Sequence, residues 1–444
     1  MSSFRLSEVI SALSHALDLT EGQPPGHARR SCALAMRLAA ERKVGEAERS
    51  ALFYAMLLKD AGCSSSAARM AALFGADDLE LKRLGKAVDW SRPSEAIRFT
   101  AAHAGRGEPP LARARQVLRA LTGLAKEGDQ LVETRCERGA RIVTMLEFPS
   151  AASAAVFALD EHWDGHGKPV GLAGDQIPLL ARIACLAQTA EVFLARDGVE
   201  SARAMVRRRS GRWFDPALAA IFVAIEDGDP LWQQVASIDS SGVEGDDLLL
   251  EADDERLDRV AQAFAQVIDA KSPFTARHSE RVAEIAVEIG LRRGYDASAI
   301  RDLRRAGLLH DIGKLGVSNA ILDKPGRLDD DELAAIRRHP LHTEEILLKV
   351  TAFSHLATAA AAHHERLDGK GYHRGLSGDA LPRDARLLAV ADVFEALTAE
   401  RPYRAPMPVG DALALMRRDV GTAFCADSFS ALQAWLDDAW ALAA

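Results

Sequence analysis

Eight of the thirteen histidines in this 444-residue chain lie between positions 278 and 373, and several stand beside carboxylates. The informative residues are His278, His310 with Asp311, His339, His363 with His364 and, further on, Asp392. Imidazole and carboxylate together suit divalent Mn, Fe, Co, Ni or Zn, and a carboxylate can bridge two such ions. The chemistry on offer is metal binding, and with it hydrolysis by a metal-activated water. A lone histidine is ordinarily a surface or core residue, so the weight falls on the set. Asp392 stands out because it lies at a helical position in the apolar run "RLLAVADVFEAL". An ionised carboxylate there is costly unless it is paired or metal-bound, the plainer alternatives being an N-cap or a salt bridge to Arg386.

The elements that must position these residues read as helices. After His278, Val282, Ile285, Ala286 and Ile289 repeat at helical spacing. In "LDDDELAAIRRHP" Glu332 follows Asp329 by three, the spacing of a capping box. Ala, Leu and Arg are abundant, β-branched runs are scarce, and no βαβ alternation appears, so the chain is expected to be all-α. At 444 residues it exceeds the size at which one core keeps growing. The acidic, Ser/Gly/Asp-rich middle of 226–258 marks the boundary, giving a first domain over 1–230, a linker over 231–258 and a second domain over 259–444.

The two domains repeat. With an offset of 204, Asp368, Gly369, Gly371, Gly375, Leu376, Gly378, Asp379, Pro382 and Arg386 fall on Asp164, Gly165, Gly167, Gly171, Leu172, Gly174, Asp175, Pro178 and Arg182. An offset of 251 sets "HSERVAEIA" on "HARRSCALA" and "LLHDIGK" on "LLKDAGC", and an offset of 210 sets "GTAF" on "GRWF". The chain is a tandem duplication. The drop from 251 to 204 leaves 47 extra residues in the first copy, within about 64–134. That stretch is basic and helical, and is either a solvated face or a docking surface.

The motifs "LLHDIGKLGVSNAILDKPGRL", "RRHP", "AAHHERLDGKGYHRGLSGDALPRDARLLAVADVFEALTAERPYR" and "GTAF" resemble the HD-GYP phosphodiesterase family of the HD phosphohydrolase superfamily over about 259–430. The resemblance implies an all-α bundle holding two or three ions, usually iron or manganese, and hydrolysis of cyclic di-GMP. It implies His278, His310, Asp311, His339, His363, His364 and Asp392 as metal ligands, with Asp311 bridging and acting in catalysis. Trimetal members carry a glutamate four residues before the first histidine. Phe274 stands there, which points to two metals and to pGpG as the product. Lys314 is placed to contact the scissile phosphate as a point charge. Tyr372, Arg386, Arg401, Tyr403 and Arg404 are the further substrate-binding candidates, arginines for phosphate and tyrosines for stacking on guanine. Three positions depart from the family: Gly371-Tyr372-His373 replaces Gly-Tyr-Pro, Glu395 replaces the aspartate of "FDAL", and Cys425-Ala426 follows Phe424. These changes bear on substrate choice, not on the ligand set.

In the first copy His27 and Asp60 are kept, but His310, His339, His363, His364 and Asp392 become Lys59, Arg135, Leu159, Asp160 and Gln188, and Lys314 becomes Cys63. The first copy is therefore expected to bind no catalytic metal and to act as scaffold or regulator, with a protein partner or a second copy docking through it.

A net charge of −9 gives no general attraction to nucleic acid or to an anionic membrane. Five unpatterned cysteines read as reduced thiols. The N-terminus lacks the pattern of a signal peptide, and no apolar run approaches the ~20 residues of a membrane span, so a cytoplasmic protein is expected. Two other functions remain open: an HD-type phosphohydrolase of another nucleotide or cyclic dinucleotide, favoured by the Gly-Tyr-His variation, and a non-catalytic signalling module.

Overall fold

The computed structural model describes residues 4–238, 251–400 and 405–443. It divides into two compact units, Met1–Asp253 with Ser318–Ala320, and Asp254–Val317 with Ile321–Ala444. Of the linker expected over 231–258, residues 239–250 lie outside the described residues, while 231–237 belong to helix Pro230–Ser237, which buries Leu231 and Val235, and 254–258 open helix Asp254–Asp269. Both units are helical. Among the described residues the only ladder is Phe4–Arg5 against Glu251–Ala252, two residues on each side.

In the second unit helix His278–Arg292 buries Val282, Ala283, Ile285, Ala286 and Ile289, the face the sequence pattern predicts. The valine and isoleucine side chains among them each contribute about 1.5–3 kcal/mol on burial. Helix Ala297–Leu309 crosses it closely enough that a Cβ on Gly307 would lie 2.8 Å from the Cα of Ala283. The Asp269 carboxylate starts helix 278–292 by accepting the Ser279 backbone N–H at 3.1 Å and its hydroxyl at 2.6 Å. The expected capping box at Asp329 and Glu332 forms, each side chain accepting the other's backbone N–H at 2.9 Å.

The first unit shares several devices with the second at matching positions. Asp18, at an offset of 251 from Asp269, accepts from the Ala28 backbone N–H at 2.9 Å to start helix His27–Glu41. Glu161 and Glu365, 204 apart, each hold their Gly-rich loop by accepting backbone N–H groups, of Val170 at 2.7 Å and of Arg374 at 2.6 Å. A Cβ on Gly62 would lie 1.9 Å from the Arg135 carbonyl oxygen, and one on Gly313 would lie 2.0 Å from the His339 carbonyl oxygen. Only glycine permits either approach. The inserted stretch forms helices Ala67–Phe74, Asp78–Gly85 and Pro93–His103 and the first part of the long helix Pro110–Met145. It has a core of its own, with Leu73, Phe74, Leu81, Phe99 and Leu131 buried together.

Candidate metal centre

Four of the candidate ligand histidines are aimed from the Nδ1 side. His310, just past helix Ala297–Leu309, donates from Nδ1 to the Gly307 carbonyl at 2.7 Å. His339, which opens helix His339–Lys349, donates to the Ile336 carbonyl at 2.7 Å, and His363 to the Ala360 carbonyl at 2.6 Å. The His278 Nδ1 meets the Glu395 carboxylate at 2.5 Å. A histidine that donates from Nδ1 presents a bare Nε2, the atom that ligates metals. Three of these Nε2 atoms surround Asp311: His278 lies 3.4 Å and His310 3.3 Å from Oδ2, and His339 lies 3.3 Å from Oδ1. The His363 Nε2 is 3.7 Å from Oδ1 and 3.3 Å from the Nε2 of His339. Asp392 brings Oδ1 to 3.3 Å from the Nε2 of His278. Ligand atoms of His278, His310 and Asp392, of His310, Asp311 and His363, and of His339, His363 and His364 fall within 4.8 Å of one another in each triad.

This packing fits divalent cations. Nε2 of His310 and Oδ1 of Asp311 are buried without a hydrogen-bond partner, and acceptors facing acceptors at these distances call for a positive charge between them. Burial lowers His339 to about 3 and His363 to about 4, so both rings are neutral ligands near pH 7. Burial also lowers His278, but the carboxylates of Asp311, Asp392 and Glu395 outweigh it and hold the ring well above its ordinary value. The field at this spot favours a cation. Asp311 and Asp392 lie far below the usual carboxylate range: burial opposes this, but His310 and Lys314 act on Asp311, and His278 on Asp392.

The seven candidate ligands thus come together. Lys314 joins them, pairing with Asp311 from the short 3₁₀ turn Ile312–Gly316, with its side chain partly exposed. Tyr372 stacks on His364 at 4.9 Å between ring centroids and carries the Arg337 guanidinium 5.4 Å over its ring. Arg386 is directed elsewhere. It donates to the carbonyls of Leu381 at 2.9 Å and Gly378 at 2.8 Å, so it frames the Gly-rich loop and makes no salt bridge to Asp392. Arg401, Tyr403 and Arg404 lie outside the described residues. His373 and Arg374 both face Glu344, at 3.6 and 3.1 Å.

Sequence reasoning passed over Glu395 as a mere departure from "FDAL", yet it orients His278. The repeat carried the signal, because Glu191 stands 204 residues earlier and pairs with His27 in the same way. Replacing Glu395 by alanine is expected to weaken metal binding by about 10–100-fold with the helical content unchanged, read by competition with a chelating dye. Unaltered affinity would show that the His278 ring is held by other groups. In the first unit Arg135 and Asp160, at the places of His339 and His364, form an ion pair with each other, and Leu159 is buried.

A helical bundle that gathers a His-Asp step, flanking histidines and a distant aspartate around one central carboxylate is the architecture of an HD-type phosphohydrolase, here duplicated with one depleted copy. The chain belongs to the HD domain family, which matches residues 105–218 and 262–426, and within it to the HD-GYP phosphodiesterases. It is 43% identical over 434 residues, 97% of this chain and 94% of the other, to 3'3'-cGAMP-specific phosphodiesterase 3 of Vibrio cholerae serotype O1. The cyclic di-GMP phosphodiesterase response regulator RpfG of Xanthomonas campestris pv. campestris is 36% identical over 180 residues, 39% of this chain and 48% of that one. A crystal structure of a cyclic GMP-AMP specific phosphodiesterase of V. cholerae, V-cGAP3, superposes with a TM-score of 0.63 at 37% identity, covering 98% of each chain. No helix among the described residues is long and apolar enough to cross a membrane.

Proposed function

We propose that the second unit is a two-metal phosphodiesterase that opens one phosphodiester bond of a cyclic dinucleotide, with 3'3'-cGAMP as its preferred substrate. The observation that carries the chemistry is the convergence of bare Nε2 atoms on both oxygens of Asp311. The preference rests on similarity along both units to an enzyme named for 3'3'-cGAMP. Cyclic di-GMP, hydrolysed to pGpG, is the second reading, favoured by the relatives named for that substrate.

His278, His310, Asp311, His339, His363, His364 and Asp392 would hold the ions, with Asp311 at the centre of the set, and Fe or Mn suits this mixed nitrogen and oxygen set. When bound, such ions supply hydroxide near neutral pH and neutralise charge on the phosphate oxygens. Lys314, partly exposed beside Asp311, sets an ammonium against the scissile phosphate. The Tyr372 ring and the Arg337 guanidinium over it offer a flat, cationic wall for a base. Glu395 keeps the His278 ring oriented, and Glu365 keeps the Gly-rich loop in place.

Replacing Lys314 by alanine should lower kcat/KM by about 10–100-fold, as loss of a charged hydrogen bond does, with metal content intact. Equal loss of metal would make Lys314 a structural partner of Asp311. The substrate reading is tested by competition: the metal-loaded chain is given equimolar 3'3'-cGAMP and cyclic di-GMP, and the linear products are resolved by chromatography. Faster loss of 3'3'-cGAMP is expected. Faster loss of cyclic di-GMP establishes the second reading, and loss of neither defeats both.

A further inference from the structure

In the first unit the family's metal chemistry does not fit, because the places for cations are taken by the chain itself. Lys59, in the place of His310, sets its ammonium against Asp60 and 3.1 Å from the Nε2 of His27. The equivalent atoms in the second unit, His278 Nε2 and Asp311 Oδ2, face each other across 3.4 Å. A second ammonium arrives from the insertion. Lys86, just past helix Asp78–Gly85, lies 3.2 Å from Asp60 Oδ1, 3.0 Å from Glu21 Oε2 and 3.4 Å from His27 Nε2. Lys82, one turn earlier, donates to the carbonyls of Thr20 at 3.0 Å and Cys63 at 3.2 Å and so anchors the same helix.

Without these lysines the pocket would read as a metal site. Ligand atoms of Glu21, Asp60 and Cys63 lie within 4.8 Å of one another, and all three residues are buried. Glu21, Asp60 and Lys59 are each under 5% exposed, so neither acid can recruit a counterion from solvent. Two buried carboxylates and a neutral imidazole need positive charge, and fixed ammonium groups supply it. The copy without the insertion has no residue equivalent to Lys86, and the same His-Asp pair there faces imidazoles.

We infer that the inserted segment of the first unit is an internal plug, whose Lys86, together with Lys59, permanently replaces divalent ions at the degenerate site. It follows that the first unit folds without metal and takes neither ion nor metal-bound substrate. The insertion thereby has a defined role, and the duplicated site has been converted from a cofactor site into a sealed, charge-balanced core.

The test uses the full chain with His310→Ala, Asp311→Ala and His363→Ala, so that every ligand triad of the second unit loses a member and the result does not depend on the proposed activity. With its lysines intact, this chain is expected to retain no stoichiometric zinc or cadmium after gel filtration. Adding Lys59→Met and Lys86→Met should create a site for one cadmium ion per chain, with thiolate-to-metal absorption that Cys63→Ser removes. A lysine variant that folds only when cadmium is present gives the same support. A folded variant that ignores cadmium overturns the inference. Stoichiometric metal in the lysine-intact chain, lost on Asp60→Ala, overturns it however the lysine variants fold.

Discussion

Replacement of Asp311 by asparagine is expected to reduce turnover to the uncatalysed level and to lower bound metal, while the helical content stays unchanged. Asp311 faces both sides of the cluster, with His278 and His310 at Oδ2 and His339 and His363 at Oδ1. An amide keeps the shape but places an NH2 group against bare imidazole nitrogens and removes the negative charge. Losing the charge also releases Lys314, whose ammonium pairs with it. A single substitution would therefore remove both the proposed bridging ligand and the partner of the proposed phosphate contact, Lys314. The measurement is metal content by mass spectrometry together with steady-state turnover of 3'3'-cGAMP. Full turnover in a metal-loaded Asp311→Asn chain would move the chemistry away from this centre.

The second large effect separates chemistry from folding by using the duplication. Gly313→Ala and Gly62→Ala drive a methyl group into backbone at 2.0 and 1.9 Å, against the carbonyls of His339 and Arg135 respectively. Neither carbonyl belongs to a flexible side chain, so helix His339–Lys349 or helix Pro110–Met145 must shift. Overpacking of this kind costs about 1–3 kcal/mol and moves the neighbouring residue by a fraction of an ångström or more. At Gly313 that neighbour is a candidate ligand, so stability and turnover are expected to fall together. At Gly62 the neighbour is Arg135, and thermal stability should fall while kcat per folded molecule holds. Calorimetry and active-site titration on both variants check this. A kcat loss in Gly62→Ala equal to that in Gly313→Ala would mean that the first unit contributes to the reaction directly.

The fold class, the duplication and the membership of the candidate ligand set were legible because they rest on types and spacing. Histidine and aspartate at helix ends are few, and the Gly/Pro frame of the loop recurs at a constant offset. What the sequence concealed depends on which partner a side chain chooses. Arg386 was a phosphate candidate by type, but its loop offers two carbonyls close by, and the guanidinium closes on them. Glu395 looked like a departure from "FDAL"; its recurrence as Glu191 was a signal in the sequence, and its 2.5 Å approach to His278 shows which ring it orients. Lys86 lies in an insertion with no counterpart, so no alignment of the halves could bring it to Asp60. Long-range pairing across 26 residues of unrelated sequence is settled by packing.

The most direct measurement is turnover of 3'3'-cGAMP by the full chain before chelation, after chelation and after adding back manganese or ferrous iron. Stripped protein should be folded and inactive, and the added metal should restore hydrolysis to a linear dinucleotide with about two ions bound per chain. Undiminished hydrolysis by protein verified as metal-free, or no hydrolysis by protein holding its full complement of metal, would contradict a metal-dependent cyclic-dinucleotide phosphodiesterase centred on Asp311.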